Sequence, residues 1–135
     1  MSRMVLNKKR IIPICCMAAS LVVMILPYGI PSRSTDGPPD WIVYTNYYSY
    51  FSFFVIGASG NLFPMMTALL SILVLLRLFI RTDSLGNLIC LCICLLASLL
   101  SWVIFGVISV IGVIVFILHL ATLALQINCR KTSGV

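Results

Sequence analysis

YYSYFSFFVIGASGNLFPMMTALLSILVLLRLFIR, residues 47–81, is the stretch whose reading decides the fold. It begins in an aromatic zone and crosses a patch of Gly, Ala, Ser, Asn and Pro. It then runs through an unbroken aliphatic block and stops at Arg77 and Arg81. No charged residue occurs between Asp40 and Arg77. Residues 57–76 therefore read as the core of a membrane-spanning helix over 55–78, because twenty residues at 1.5 Å each cover roughly 30 Å, the hydrocarbon thickness of a bilayer. One face of that helix is small or polar at helical spacing: Gly57, Gly60, Asn61, Pro64, Thr67, Ala68 and Ser71. The opposite face carries Leu62, Met65, Leu69, Ile72 and Leu76, side chains suited to lipid.

The composition leads to the same place. Of 135 residues, 61% are apolar and 9% charged, more apolar surface than a water-soluble chain of this size can hide. The lipid bilayer is thus the first partner. The net charge of +6 is explained by where the cations fall. Arg3, Lys8, Lys9 and Arg10 precede the first apolar block, Arg77 and Arg81 follow the second, and Arg130 and Lys131 lie in the tail. Only Arg33 stands in the remaining loop, beside Asp36 and Asp40. That asymmetry is the positive-inside bias of short loops. A nucleic-acid partner is not expected, since no cytoplasmic segment is long enough to build a basic face.

Outward from the central stretch, residues 11–30 (IIPICCMAASLVVMILPYGI) read as the first span. Pro13 is placed in its first turn, where proline is tolerated, and Pro27 near its end as a kink or stop. The basic start followed by an apolar block mimics a secretory signal peptide. The sequence after it, PYGIPSRS, lacks a good small-x-small cleavage site, so an uncleaved first helix is expected. Residues 31–50 form the outer loop. Its first half, SRSTDGPPD, is turn chemistry. In its second half Trp41, Tyr44, Tyr48 and Phe51 recur at near-helical spacing, predicting an amphipathic helix in the membrane interface with Trp41, Tyr44 and Tyr48 as anchors.

After Arg81 a short turn, TDSLGN, offers Asp83 or Ser84 as a helix cap. Residues 88–127 are then almost wholly apolar. One helix of that length would be roughly 60 Å long, twice the bilayer core, so the chain must fold back. A turn at 104–107, around Phe105 and Gly106, leaves spans over 88–103 and 108–127. The expected fold is a single all-α transmembrane domain of four helices, with both termini cytoplasmic. Packing is expected through Ala18 and Ala19, through Gly57, Gly60 and Asn61, and through Cys94, Ala97 and Ser101.

Two groups within the spans invite chemistry. Asn61, about 6 Å inside the outer boundary at 1.5 Å per residue, needs hydrogen-bond partners in lipid. Together with Gly57, Gly60 and Pro64 it reads as a helix-packing face or as a solute site in a broken helix. His119 is the one ionisable group of the usual kind inside a span, and it reads as a packing residue or a proton or ligand site. The six cysteines fall toward the cytoplasmic side, where disulfides are not expected. The spacing of Cys90, Cys92 and Cys94 points successive thiols to different helix faces, so no metal site is expected, and no cofactor. The chain has no Glu, no acid pair, no nucleophile and base in plausible register, and no phosphate loop, which argues against an enzyme.

The run at 48–76 resembles small uncharacterised four-span membrane proteins of Gram-positive bacteria. Their pattern is an aromatic segment, a Gly–small–Asn stretch, a Pro and a Thr-Ala step, matched here by Tyr50, Phe51, Gly57, Asn61, Pro64, Thr67 and Ala68. The resemblance covers under a quarter of the chain and implies four spans and a bacterial origin, with no activity attached. Small multidrug exporters differ in carrying a first-span carboxylate, and dual-topology fluoride channels in having balanced loop charges. The expected role is non-catalytic: an accessory, immunity- or stress-type component working through contacts with another membrane protein or with itself. The alternative is a small oligomeric channel or transporter using Asn61 and His119.

Overall fold

In the computed structural model the described residues are 2–38, 42–51, 62–81, 85–105 and 108–133. They form α1 (Ser2–Ile25), β1 (Ile30–Thr35), β2 (Val43–Tyr48), α2 (Leu62–Ile80), α3 (Leu85–Phe105) and α4 (Val110–Ser133). α2, α3 and α4 are each long and apolar enough to cross a membrane, whereas the apolar part of α1 is the shorter Arg10–Ile25. The expectations for Trp41, Gly57, Gly60, Asn61, Asp83, Ser84 and the Gly106 turn lie outside the described residues.

α1 packs on α2 and α4, and α3 packs on α2 and α4, so the four helices close a ring. Two apolar layers fill it. Met24, Ile30, Tyr50, Ala68, Ile111 and Val115 make one, and Met17, Val74, Leu78 and Leu91 the other. The order within the layers shows that neighbours run antiparallel: Met24 of α1 shares a layer with Ala68 of α2, and Met17 with Val74. On α2 the buried face is Pro64, Thr67, Ala68, Ser71, Val74 and Leu78, while Leu62, Leu69, Leu73 and Leu76 stay exposed. The positions recur at helical spacing, and small side chains are what allow adjacent helices to approach.

Several boundaries differ from expectation. α1 begins at Ser2 and takes in the basic segment, so Pro13 sits in the helix interior and is buried, not placed in a first turn. Helix-forming Lys and Arg carry the helix upstream of it, at the loss of the Pro13 N–H bond. α1 also stops at Ile25, short of residue 30. Pro27 follows in a turn in which the Leu26 N–H donates to Val23 O at 3.2 Å, and Ile30 already belongs to a strand. On α1 the inward residues are Met17, Ser20 and Met24, while Ala18 is half-buried and Ala19 exposed. Pro64 occupies the first turn of α2, where its missing N–H is one of the helix's unpaired donors in any case. α3 ends at Phe105 and α4 resumes at Val110, around the turn expected at 104–107.

The largest difference is the outer loop. Residues 43–48 form no amphipathic helix; β2 pairs with β1 in an antiparallel hairpin running from Ile30 opposite Tyr48 to Thr35 opposite Val43. Val43, Tyr44, Thr45, Tyr47 and Tyr48 are strand formers, and the Asp36–Gly37–Pro38 segment turns the chain, with Asp36 N–H donating to Ile42 O at 3.1 Å. The hairpin is tied to the bundle at its base. Gly29 N–H donates to Tyr48 O at 3.0 Å, and Tyr50 N–H to Met24 O at 3.1 Å.

Candidate functional site

Between the two apolar layers lies a polar one. Ser20 comes from α1, Thr67 and Ser71 from α2, Cys94 and Ser98 from α3, and His119 and Thr122 from α4; all are buried. Most of these hydroxyls are satisfied within their own helices. Ser20 Oγ donates to Met17 O at 3.1 Å, Thr67 Oγ1 to Phe63 O at 2.9 Å, Ser98 Oγ to Cys94 O at 3.0 Å and Thr122 Oγ1 to Leu118 O at 2.8 Å. Such back-bonding lets serine and threonine sit inside an apolar helix without an exposed donor.

His119 breaks that local pattern. Its Nδ1 lies 2.7 Å from Val115 O on its own helix, and its Nε2 lies 2.7 Å from Ser71 Oγ on α2. Ser71 Oγ is in turn 2.6 Å from Thr67 O, and Cys94 Sγ of α3 approaches the same carbonyl at 3.9 Å. Three helices thus meet at one hydrogen-bonded centre. Toward the C-terminus on the same face of α4, Gln126 is buried and its Nε2 has no hydrogen-bond partner.

At that end of the bundle Asn87 joins α2 to α3. Its Oδ1 accepts from Arg77 Nε at 3.1 Å, and its Nδ2 donates to Arg81 O at 3.0 Å. The Arg77 guanidinium lies against Gly86, where an added Cβ would stand 2.9 Å from its Cζ. At the hairpin end Ser109 caps α4: its Oγ accepts from Gly112 N–H at 2.9 Å and donates to Gly29 O at 2.6 Å. The Trp102 and Phe116 rings pack at 5.2 Å beside it. Burial pushes the Tyr50 hydroxyl up to about 12. Tyr28 and Tyr47, 6.4 Å apart, line a cleft of about 260 Å³ with Ile108, Ser109, Val110 and Ile111.

Of the residues expected to matter, Pro64 and His119 are buried in the bundle, whereas Tyr44 is exposed on β2 and Tyr48 is half-buried at its end. Ser71, Gln126, Asn87 and Ser109 acquire roles that sequence reasoning did not assign. Ser109 carried a readable signal, a serine just before an apolar helix. The others are ordinary polar residues until their neighbours are known. All six cysteines are free, and among the described residues no group of three His, Cys, Asp or Glu side chains is placed to hold a metal. Comparison of the chain with protein-family models, curated proteins and solved structures finds no match.

Proposed function

We propose that this chain is a non-catalytic four-span membrane protein of the cell membrane. In this reading both termini are cytoplasmic, and it acts as an accessory, immunity- or stress-type component through helix contacts with another membrane protein. The observation that carries the proposal is the division of side chains. The polar groups point inward and bond mainly to their own helices, while the outer faces of α2, α3 and α4 show Leu69, Leu73, Leu76, Ile89, Ile93, Leu96, Ile114, Ile117 and Leu120. Within a bilayer the described outer faces of α2, α3 and α4 offer their surroundings mainly apolar helix surface. A partner there must be lipid or another helix.

Packing supports a fourth span. α1 shares both apolar layers, and one turn before Ile14 its Arg10 reaches the bundle end that also carries Arg77, Arg81, Arg130 and Lys131. Cations gathered at one end favour that end facing the cytoplasm. The test is the native mass of the protein extracted at endogenous level in mild detergent. A defined complex with a second protein is expected. A bare monomer that no cross-linker joins to a neighbour would overturn the accessory role.

A second reading is favoured by one observation, the buried Gln126 Nε2 without a hydrogen-bond partner on the face of α4 that also carries His119. Buried polar groups in a membrane interior are costly and often mark a path for ions or solutes. On this reading Asn61→Leu and His119→Leu abolish flux in proteoliposomes while the bundle still folds. Unchanged flux in both variants removes it.

A further inference from the structure

We infer that His119, Ser71 and the Thr67 carbonyl form a proton-binding site at the centre of the bundle, in which loading the ring reverses the Ser71–His119 hydrogen bond. The site goes beyond both functional readings, because it follows from counting hydrogens in three short contacts.

Val115 O can only accept, so the 2.7 Å contact to His119 Nδ1 requires a proton on Nδ1. Thr67 O can only accept too, so the 2.6 Å contact to Ser71 Oγ requires the Ser71 hydroxyl proton. The third contact, Ser71 Oγ to His119 Nε2 at 2.7 Å, then has a hydrogen only if Nε2 carries one. With a neutral ring two hydrogens serve three contacts. Either the serine turns to Nε2 and leaves Thr67 O, or it stays on Thr67 O and two lone pairs face each other. Adding one proton resolves the conflict: Nε2–H donates to Ser71 Oγ, and Ser71 O–H donates to Thr67 O. The step is protonation alone, taken from water. One N–H bond forms, and the serine hydrogen rotates from one acceptor to the other. The loaded ring's charge is thereby directed onto two backbone carbonyls, one on α2 and one on α4. In the neutral state Thr67 O keeps its helical bond from the Ser71 backbone N–H and the weaker contact from the Cys94 thiol at 3.9 Å.

Among the described residues, the groups that flank this ring carry no acid. α1 brings only Cys15 and Cys16 between Ile11 and Ile25, and α2 has no titratable group before Arg77. α3 contributes Cys90, Cys92 and Cys94, and α4 itself Cys129, Arg130 and Lys131. The chain's three acidic residues are Asp36, Asp40 and Asp83, none of them in a described helix.

The chain has a single histidine, so ring nitrogen-15 resonances in bilayers of phosphatidylcholine report this site alone. The expected result is a neutral ring protonated on Nδ1 at pH 8 that gains a second proton, on Nε2, reversibly on acidification. Ser71→Ala removes the acceptor of the charged Nε2–H and also the weaker bond that the Ser71 hydroxyl donates to the neutral ring, so the loaded-to-neutral ratio at a given pH falls by the difference, roughly fivefold. Ser71→Thr, which keeps the hydroxyl, restores the wild-type ratio. A wild-type ring that stays singly protonated throughout, or whose neutral form carries its proton on Nε2, overturns the proposal without any variant. So does an unchanged ratio in a folded Ser71→Ala.

Discussion

Gln126 and His119 lie on one face of α4 and are buried on opposite terms. The histidine has a partner at each nitrogen, whereas the glutamine leaves its Nε2 with none. An unpaired buried donor costs its full desolvation, about 1–3 kcal/mol, and a leucine of similar volume carries no such cost. Gln126→Leu is therefore expected to raise stability by about 1–2 kcal/mol, read as a higher unfolding midpoint in mild detergent. A lower midpoint would mean that the amide is paired in the working protein, and would favour the transport reading. Tyr50 offers a pH test outside the spans. Its folded value of about 12 lies above the ordinary 10, so its burial stabilises the fold fully below pH 10. That contribution is lost as the pH rises through about 12. The phenolate absorbance difference between wild type and Tyr50→Phe should have its midpoint near 12; a midpoint near 10 would show an exposed ring. At this scale the sequence was half legible. His119 stands out because no acid or other histidine lies within a span, but its partner Ser71 is 48 residues away and looks like any small residue on a packing face.

The hairpin shows why elements were harder to read than spans. Long apolar blocks bounded by arginines and a turn leave few alternatives to three long apolar helices, and α2, α3 and α4 are such helices; residues 55–61 of the expected second span lie outside the described residues. Tyr44, Tyr48 and Phe51 fit a helical period. The same segment equally fits a strand of alternating Val43, Thr45 and Tyr47 against Tyr44, Asn46 and Tyr48. Periodicity over so few residues cannot separate the two. The partner strand decides, and it is built from Ile30 to Thr35, a stretch read as span end and turn. Ser109 then joins this hairpin corner to α4 through two bonds, to Gly112 N and to Gly29 O. Ser109→Ala loses both the cap and the tether, and is expected to cost about 1–2 kcal/mol. The loss should appear as faster amide exchange at Gly112 and a lower unfolding midpoint, with Ser109→Thr close to wild type. Exchange and midpoint both unchanged in the alanine variant would show that the corner is held by apolar packing alone.

For the whole molecule, the open matter is whether α1 crosses the membrane. Its apolar segment, Arg10–Ile25, is about 24 Å long at 1.5 Å per residue, against roughly 30 Å of hydrocarbon. A short helix can still span, because flanking Lys and Arg extend their charges to the interface and the bilayer thins locally at modest cost. Two further facts favour crossing. α1 is packed between α2 and α4 through both apolar layers, its C-terminal turn is bonded at Met24 O by Tyr50 N–H, and Gly29, just beyond it, is held to α4 by Ser109. Lifting α1 out would expose Met17, Met24 and the polar layer to lipid together. Labelling of intact cells with a membrane-impermeant maleimide separates the arrangements. Gly37 stands in open space at the hairpin tip, so Gly37→Cys is sterically free, and the native cysteines all lie within α1, α3 and α4. With four spans, Gly37→Cys is labelled from outside, and a cysteine added ahead of Met1 is labelled only after the cells are opened. If both react from outside, α1 lies on the outer surface and three helices span. If the added cysteine alone reacts, the bundle is inverted and its basic end faces outward, against the charge bias that underlies the proposed topology.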